Sequence, residues 1–190
     1  MILEEGKNWY HGSYAIVEKP DLALCMPGKD FGLGFYVTTE AKQAERFIKS
    51  SIGKAKKNGY LVGDASKGYL NIYTMTDFKD LEVYEFATAD REWLHCVAAH
   101  RRSQLFKDEI KKWEKYDIIA GKIADDTTNQ VITAYMEGLY GEVGSERADE
   151  IAIGLLLPDK LTNQICIRTE KAMNKLSFID YKEQIINERR

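Results

Sequence analysis

The sequence predicts a single α+β domain over 1–190, and three observations carry that prediction. Residues 69–74 and 81–86 alternate apolar and polar side chains as half-buried strands do. Ala41, Ala44, Phe47, Ile48 and Ile52 recur at the spacing of one helix face. The chain has 190 residues, 44% hydrophobic and 30% charged, which is enough to bury a core without disulfides or a structural metal.

The elements follow in order. Residues 9–13 form a short strand, and 20–30, with Pro20, Pro27 and Gly28, form a loop. Two glycines among aromatic and β-branched residues make 31–39 a bent turn that feeds a strand. Thr39 is the expected cap of a helix starting at Glu40, and Gly53 its expected stop. The basic run at 54–57 reads as a solvated helix end. Polar residues 77–80 separate the strands at 69–74 and 81–86. Asp90 then caps a helix that ends at His100, Arg101 and Arg102, and a second helix fits 103–115.

Residues 116–121 form an apolar strand closed by glycine. A helix runs on to about Tyr140, with Asp126, Thr127 or Thr128 as its cap. After a loop at 141–146, a short helix over about 147–156 precedes Pro158, and 164–168 form a strand. Thr169 caps a last helix through Ala172, Met173 and Leu176, and the charged tail at 181–190 is expected to be helical or frayed. No repeat or linker divides the chain, and the segment at about 90–160 reads as a helical insertion.

Charge and motif content narrow the chemistry. Twenty-seven Lys and Arg against thirty Asp and Glu leave a formal net charge of −3, so no global field favours a nucleic-acid backbone. Cys25, Cys96 and Cys166 are odd in number and lack CxxC spacing, which argues against a disulfide framework and a zinc site. The glycines form neither GxGxxG nor GxxxxGK[ST], there is no HExxH, and His95 and His100 miss the i, i+4 register of a helical metal pair. No metal is expected. The longest apolar run, 151–157, is too short to span a bilayer, and the N-terminus lacks the basic and apolar regions of a secretion signal. The expected setting is therefore the cytoplasm, without a membrane partner.

One constellation remains. Tyr10-His11-Gly12-Ser13 is followed about twenty residues later by Phe31-Gly32-Leu33-Gly34-Phe35-Tyr36, which leads into a helix, and Asn163-Gln164-Ile165-Cys166-Ile167 forms a late strand. This pattern resembles the ADP-ribosyltransferases of the diphtheria-toxin and poly-ADP-ribose-polymerase type. Together with 116–126, it also looks like a bacterial family known as a domain of unknown function, over nearly the whole chain. The resemblance implies two packed, mainly antiparallel sheets with flanking helices, and NAD as substrate.

The resemblance assigns roles residue by residue. His11, Tyr36 and Gln164 are the implied catalytic triad, and His11, Gly12, Ser13, Tyr36 and Phe47 the implied NAD contacts. His11 would meet the adenine-ribose hydroxyl, Gly12 would pair its backbone with the nicotinamide carboxamide, and Tyr36 would stack on the pyridinium, a contact of roughly 0.5–2 kcal/mol. Two positions depart from the pattern. Ala44 stands where a small hydroxyl residue is usual, and Gln164 stands where a glutamate is usual. Glutamine can orient a ribose but cannot act as a base, so single transfer is expected and polymer synthesis is not.

The implied activity is mono-ADP-ribosylation of a protein or nucleic acid, in the setting of a bacterial toxin, with an antitoxin, or of phage defence. A module that binds NAD or ADP-ribose without turnover, and an NAD glycohydrolase, are the alternatives. Asp117, Asp125 and Asp126 are further acidic candidates, with Asp126 read first as a helix cap. The His100-Arg101-Arg102 cluster is set outside the site.

Overall fold

The structure, a computed structural model, describes residues 2–62, 66–123, 126–157 and 161–186, with the backbone alone for 126 and 127. In chain order the described elements are β1 (Asn8–Ser13), β2 (Phe35–Val37), α1 (Ala41–Lys57), β3 (Lys67–Met75), β4 (Val83–Glu85), α2 (Arg91–Arg101) and α3 (Lys107–Glu114). They continue with β5 (Ile118–Lys122), α4 (Asp126–Met136), α5 (Glu146–Leu156), β6 (Asn163–Ile167), α6 (Glu170–Met173) and β7 (Leu176–Ile185).

Strand alternation sorts the apolar side chains into three cores, and the cores define four layers. The first sheet has the order β1-β3-β7, all antiparallel, and the second the order β2-β6-β5-β4, antiparallel except for β4 beside β5. Trp9, Tyr73 and Met75 from the first sheet meet Phe35, Val37, Ile118, Ala120, Ile165 and Ile167 from the second in the core between them. Ala44, Ile48 and Ile52 of α1 cover the outer face of the first sheet against Leu70. Trp93, Val97, Ile132 and Ala152 of α2, α4 and α5 cover the second sheet through Ile119 and Cys166. The result is α+β, with two mostly antiparallel sheets between helical layers.

Several local expectations are corrected. The residue before α1 is Glu40, without a side-chain cap; Thr38, not Thr39, accepts from the Glu40 N–H through its hydroxyl oxygen at 3.2 Å. The helix runs through Gly53 because Ile52 and Ala55 on either side are both buried, which outweighs the ~1 kcal/mol helix cost of a glycine. The helix expected from 103 begins only at Lys107, because Phe106 takes a left-handed conformation (φ 51°) that stacks its ring 4.1 Å from His95. The last helix is the four-residue α6, and Leu176 starts a strand instead. The charged tail to Ile185 is β7, paired along β3 from Leu176↔Met75 to Lys67↔Ile185. Among its described residues the stretch at about 90–160 holds four helices, yet β5 within it is an interior strand of the second sheet. Thr128 lies inside α4, and the side chains of Asp126 and Thr127 lie outside the described residues.

Candidate active site

Among the described residues a backbone bridge between Tyr10 and Thr38 joins the two sheets. The Tyr10 N–H donates to the Thr38 carbonyl at 2.8 Å, and the Thr38 N–H returns a bond to Tyr10 at 2.9 Å. Among the described residues this bridge is not continued as a ladder, and the His11 imidazole reaches across from β1 to β2. Its ring lies 4.6 Å from Phe35, and Nδ1 sits 2.8 Å from the Tyr36 carbonyl oxygen. A carbonyl can only accept, so Nδ1 carries the proton and Nε2 keeps its lone pair. Burial holds the imidazole below its ordinary range, with the Tyr36 carbonyl working the other way, so the ring is neutral at pH 7.

Gly12 comes next on β1. Because Tyr10 points its N–H and C=O at β2, Gly12, two residues on, points its own pair to the same side, away from β3. That strand edge therefore offers one donor and one acceptor beside His11. The position also demands glycine for packing, since a Cβ there would drive into the backbone carbonyl of Ala44 on α1. Ser13 is buried, and its hydroxyl oxygen accepts from the Ala15 N–H at 3.3 Å, which ties it to the turn after β1. Phe47 lies one turn beyond Ala44, 46% exposed, and no ring contact joins it to His11 or Tyr36.

Tyr36 and Gln164 belong to adjacent strands and share a face. β2 and β6 pair Tyr36 with Cys166 and Val37 with Ile165, so Tyr36, Cys166 and Gln164 all point towards the helical layer. The Tyr36 hydroxyl donates to the Gly32 carbonyl at 2.8 Å and accepts from the Phe31 N–H at 3.0 Å. Burial pushes its phenol well above the ordinary range, so it works as a neutral group. Gly32 makes this closed loop possible, with φ at +82°. Gln164 is 6% exposed, and its Nε2 donates to Asp30 Oδ2 at 2.6 Å and to the Lys122 carbonyl at 3.2 Å.

His11, Gly12, Tyr36 and Gln164 thus come from three neighbouring strands, while Ser13 and Phe47 flank them. An open cleft of about 510 Å³ adjoins this seam, lined by Tyr10 and Asn163, the chain neighbours of His11 and Gln164, together with Lys7, Asn8 and Thr39. Sequence reasoning missed Asp30 and set Arg101 aside. Asp30 Oδ1 accepts from Arg101 Nε at 2.9 Å and Nη2 at 2.6 Å, and Arg101 Nη1 reaches Asn129 at 2.6 Å. The usable signal was an aspartate directly before the Phe-Gly-Leu-Gly turn, with an arginine closing a buried helix. The Asp117 carboxylate accepts from the Glu82 N–H and the Thr169 hydroxyl, which ties it to the ends of β4 and α6. Asp125 lies outside the described residues. Among the described residues no group of His, Cys, Asp and Glu could hold a metal ion, and no helix is long and apolar enough to cross a membrane.

A family model described as "Protein of unknown function (DUF3990)" matches residues 8–178. The chain belongs to the DUF3990 family. None of the curated proteins compared with it matches the chain. The DUF3990 match starts where β1 starts and ends within β7, so it includes both glycine-bearing motifs, the late strand and the Asp30–Arg101 pair. In this DUF3990 domain, His11 and Gly12 lie on β1 beside its bridge to β2, while Tyr36 and Gln164 face the helical layer.

Proposed function

We propose that this DUF3990 protein is an NAD-dependent mono-ADP-ribosyltransferase, with His11, Tyr36 and Gln164 at the reacting end of the substrate. The observation that carries this reading is the bond from His11 to the Tyr36 carbonyl, which joins two motifs 25 residues apart. Beside it, the free donor and acceptor of Gly12 suit a carboxamide, which needs one of each. The half-buried Tyr36 ring supplies an aromatic face for a pyridinium cation.

In the reaction the bond between the ribose C1′ and the nicotinamide nitrogen breaks, and nicotinamide leaves neutral with the electron pair. An acceptor lone pair then bonds C1′, and the acceptor proton passes to solvent or to the acceptor's own surroundings, because Gln164 cannot take it. Gln164 would accept from a ribose hydroxyl and steady the oxocarbenium-like state. The acceptor is a macromolecule, protein or nucleic acid, and the resemblance suggests a toxin or phage-defence effector restrained by an antitoxin.

Two features favour a second reading, a module that binds NAD or ADP-ribose without turnover. Gln164 brings no carboxylate, and Ala44, 1% exposed against the first sheet, brings no hydroxyl. The test is nicotinamide release from NAD by purified protein, beside His11→Ala and Gln164→Ala, with and without cell lysate. Release that requires lysate and both side chains supports transfer, and release without lysate supports NAD hydrolysis. No release, with a melting temperature raised by NAD in wild type but not in His11→Ala, supports the binding module. Neither release nor a melting shift overturns all three.

A further inference from the structure

We infer that Asp30 is a positioning residue that fixes Gln164 as a pure hydrogen-bond acceptor; the inference rests on the reading of the site given above. A primary amide has two N–H groups, and both of those on Gln164 are engaged, one on Asp30 Oδ2 at 2.6 Å and one on the Lys122 carbonyl at 3.2 Å. Both neighbours can only accept. Turning the amide over would set its oxygen against a carboxylate and a carbonyl, so the amide is held one way round. What it keeps for a ligand is the lone pairs of Oε1.

Asp30 is itself held. It is 7% exposed, and its other oxygen receives the Arg101 fork, whose remaining arm rests on Asn129. Trp93 Nε1 also donates to the Lys122 carbonyl, at 3.0 Å, which fixes the second anchor of the amide. Four side chains, Asp30, Arg101, Asn129 and Trp93, together with the Lys122 carbonyl of β5, therefore act on one amide. Their effect is to give glutamine the one property a glutamate has towards a ribose hydroxyl, an oxygen that accepts and never donates.

The same geometry explains why glutamate would serve badly here. A carboxylate at 164 would face the Asp30 carboxylate at hydrogen-bond distance with no proton between them, and would meet the Lys122 carbonyl as well. The residue pair is matched, and exchanging both polarities should restore the match in part. An asparagine at position 30 can give its amide hydrogen to a glutamate at position 164 and its oxygen to Arg101.

The experiment measures kcat and KM for nicotinamide release by wild type, Asp30→Asn, Gln164→Glu and the double variant, with thermal unfolding to establish that each is folded. Each single change should lower kcat by about tenfold to a hundredfold with little change in KM, and the double variant should recover at least part of the Gln164→Glu loss. A Gln164→Glu variant as active as wild type, an Asp30→Asn variant with unchanged kcat, or a folded double variant no better than Gln164→Glu would overturn the inference. A readout without NAD separates it from the proposed activity. The side-chain amide protons of Gln164 in wild type, assigned by their loss in Gln164→Glu, should exchange slowly with solvent and lose that protection in Asp30→Asn. Fast exchange in wild type overturns the lock even if NAD is turned over. Slow exchange without turnover or NAD binding keeps the amide lock and overturns the proposed activity, and with it the assignment of Oε1 to a ribose hydroxyl.

Discussion

His95 Nε2 lies 3.0 Å from Asp149 Oδ2, joining α2 to α5 across 54 residues of chain. The same carboxylate accepts from Arg91 Nε at 2.7 Å and from the Tyr135 hydroxyl at 2.5 Å, while His95 Nδ1 faces Glu109. Asp149 is 2% exposed, so one buried carboxylate fastens α2, α4 and α5 together. Removing it leaves the His95 and Tyr135 polar atoms enclosed without their partner. Asp149→Ala should cost roughly 3–5 kcal/mol in urea unfolding, and Asp149→Asn, which still accepts on one oxygen, should cost less. Equal losses for the two variants would show that the site senses volume and not the carboxylate.

Two glycines should respond in opposite directions to the same methyl group. At Gly12 the obstacle is the Ala44 backbone carbonyl, which cannot change rotamer, so β1 and α1 must part. Gly12→Ala should lose about 1–3 kcal/mol. At Gly53 nothing lies within 4 Å of a new Cβ, the residue is exposed, and the backbone is helical. Gly53→Ala should gain about 0.5–1 kcal/mol. Urea denaturation of both variants checks the pair, and a neutral Gly12→Ala would contradict the packing given for α1.

The contrast shows which features the sequence makes legible. The strands at β1, β3 and β6 and the caps at Asp90 and Thr169 rest on local alternation and on one side chain meeting one N–H, which a linear pattern records. β7 escapes such a pattern because it is an edge strand with most positions exposed, so its pairing with β3 leaves little periodic trace. His11, Gly12, Tyr36 and Gln164 stand out through residue type and spacing. Asp30 and Arg101 do not, since their meeting depends on how a loop and the end of α2 pack together, 71 residues apart.

The two histidines whose folded form is held neutral should give stability a slope near neutrality. Burial lowers both His11 and His100, against opposing bonds from the Tyr36 and Cys96 carbonyls. Below the unfolded imidazole value of about 6.5, the unfolded chain therefore binds more protons than the folded one. Their contribution is complete above that value and is lost as pH falls towards the lower folded values. His11→Asn keeps an N–H for the Tyr36 carbonyl but cannot titrate. Unfolding free energies at about pH 5.5 and pH 7.5 should differ less in this variant than in wild type; an unchanged difference would assign the slope to His100 alone.

Asp117 should prove structural. Burial works to raise its carboxyl, but the Thr169 hydroxyl, the Glu82 N–H and the Lys171 ammonium together outweigh it and hold the group below its ordinary range. Through these bonds it ties the entry of β4, the start of β5 and the cap of α6 into one corner, and its own carbonyl accepts from the Arg168 N–H at 2.8 Å. A depressed folded value means that stability is present above the unfolded value of about 3.9 and declines as pH falls through the folded one. Asp117→Asn should lose about 1–3 kcal/mol at pH 7 and flatten the acid limb of the stability profile. If NAD raises the melting temperature as proposed, the shift, measured relative to the variant's own baseline, should stay as in wild type. A variant of full stability that has lost the response to NAD would return Asp117 to the site.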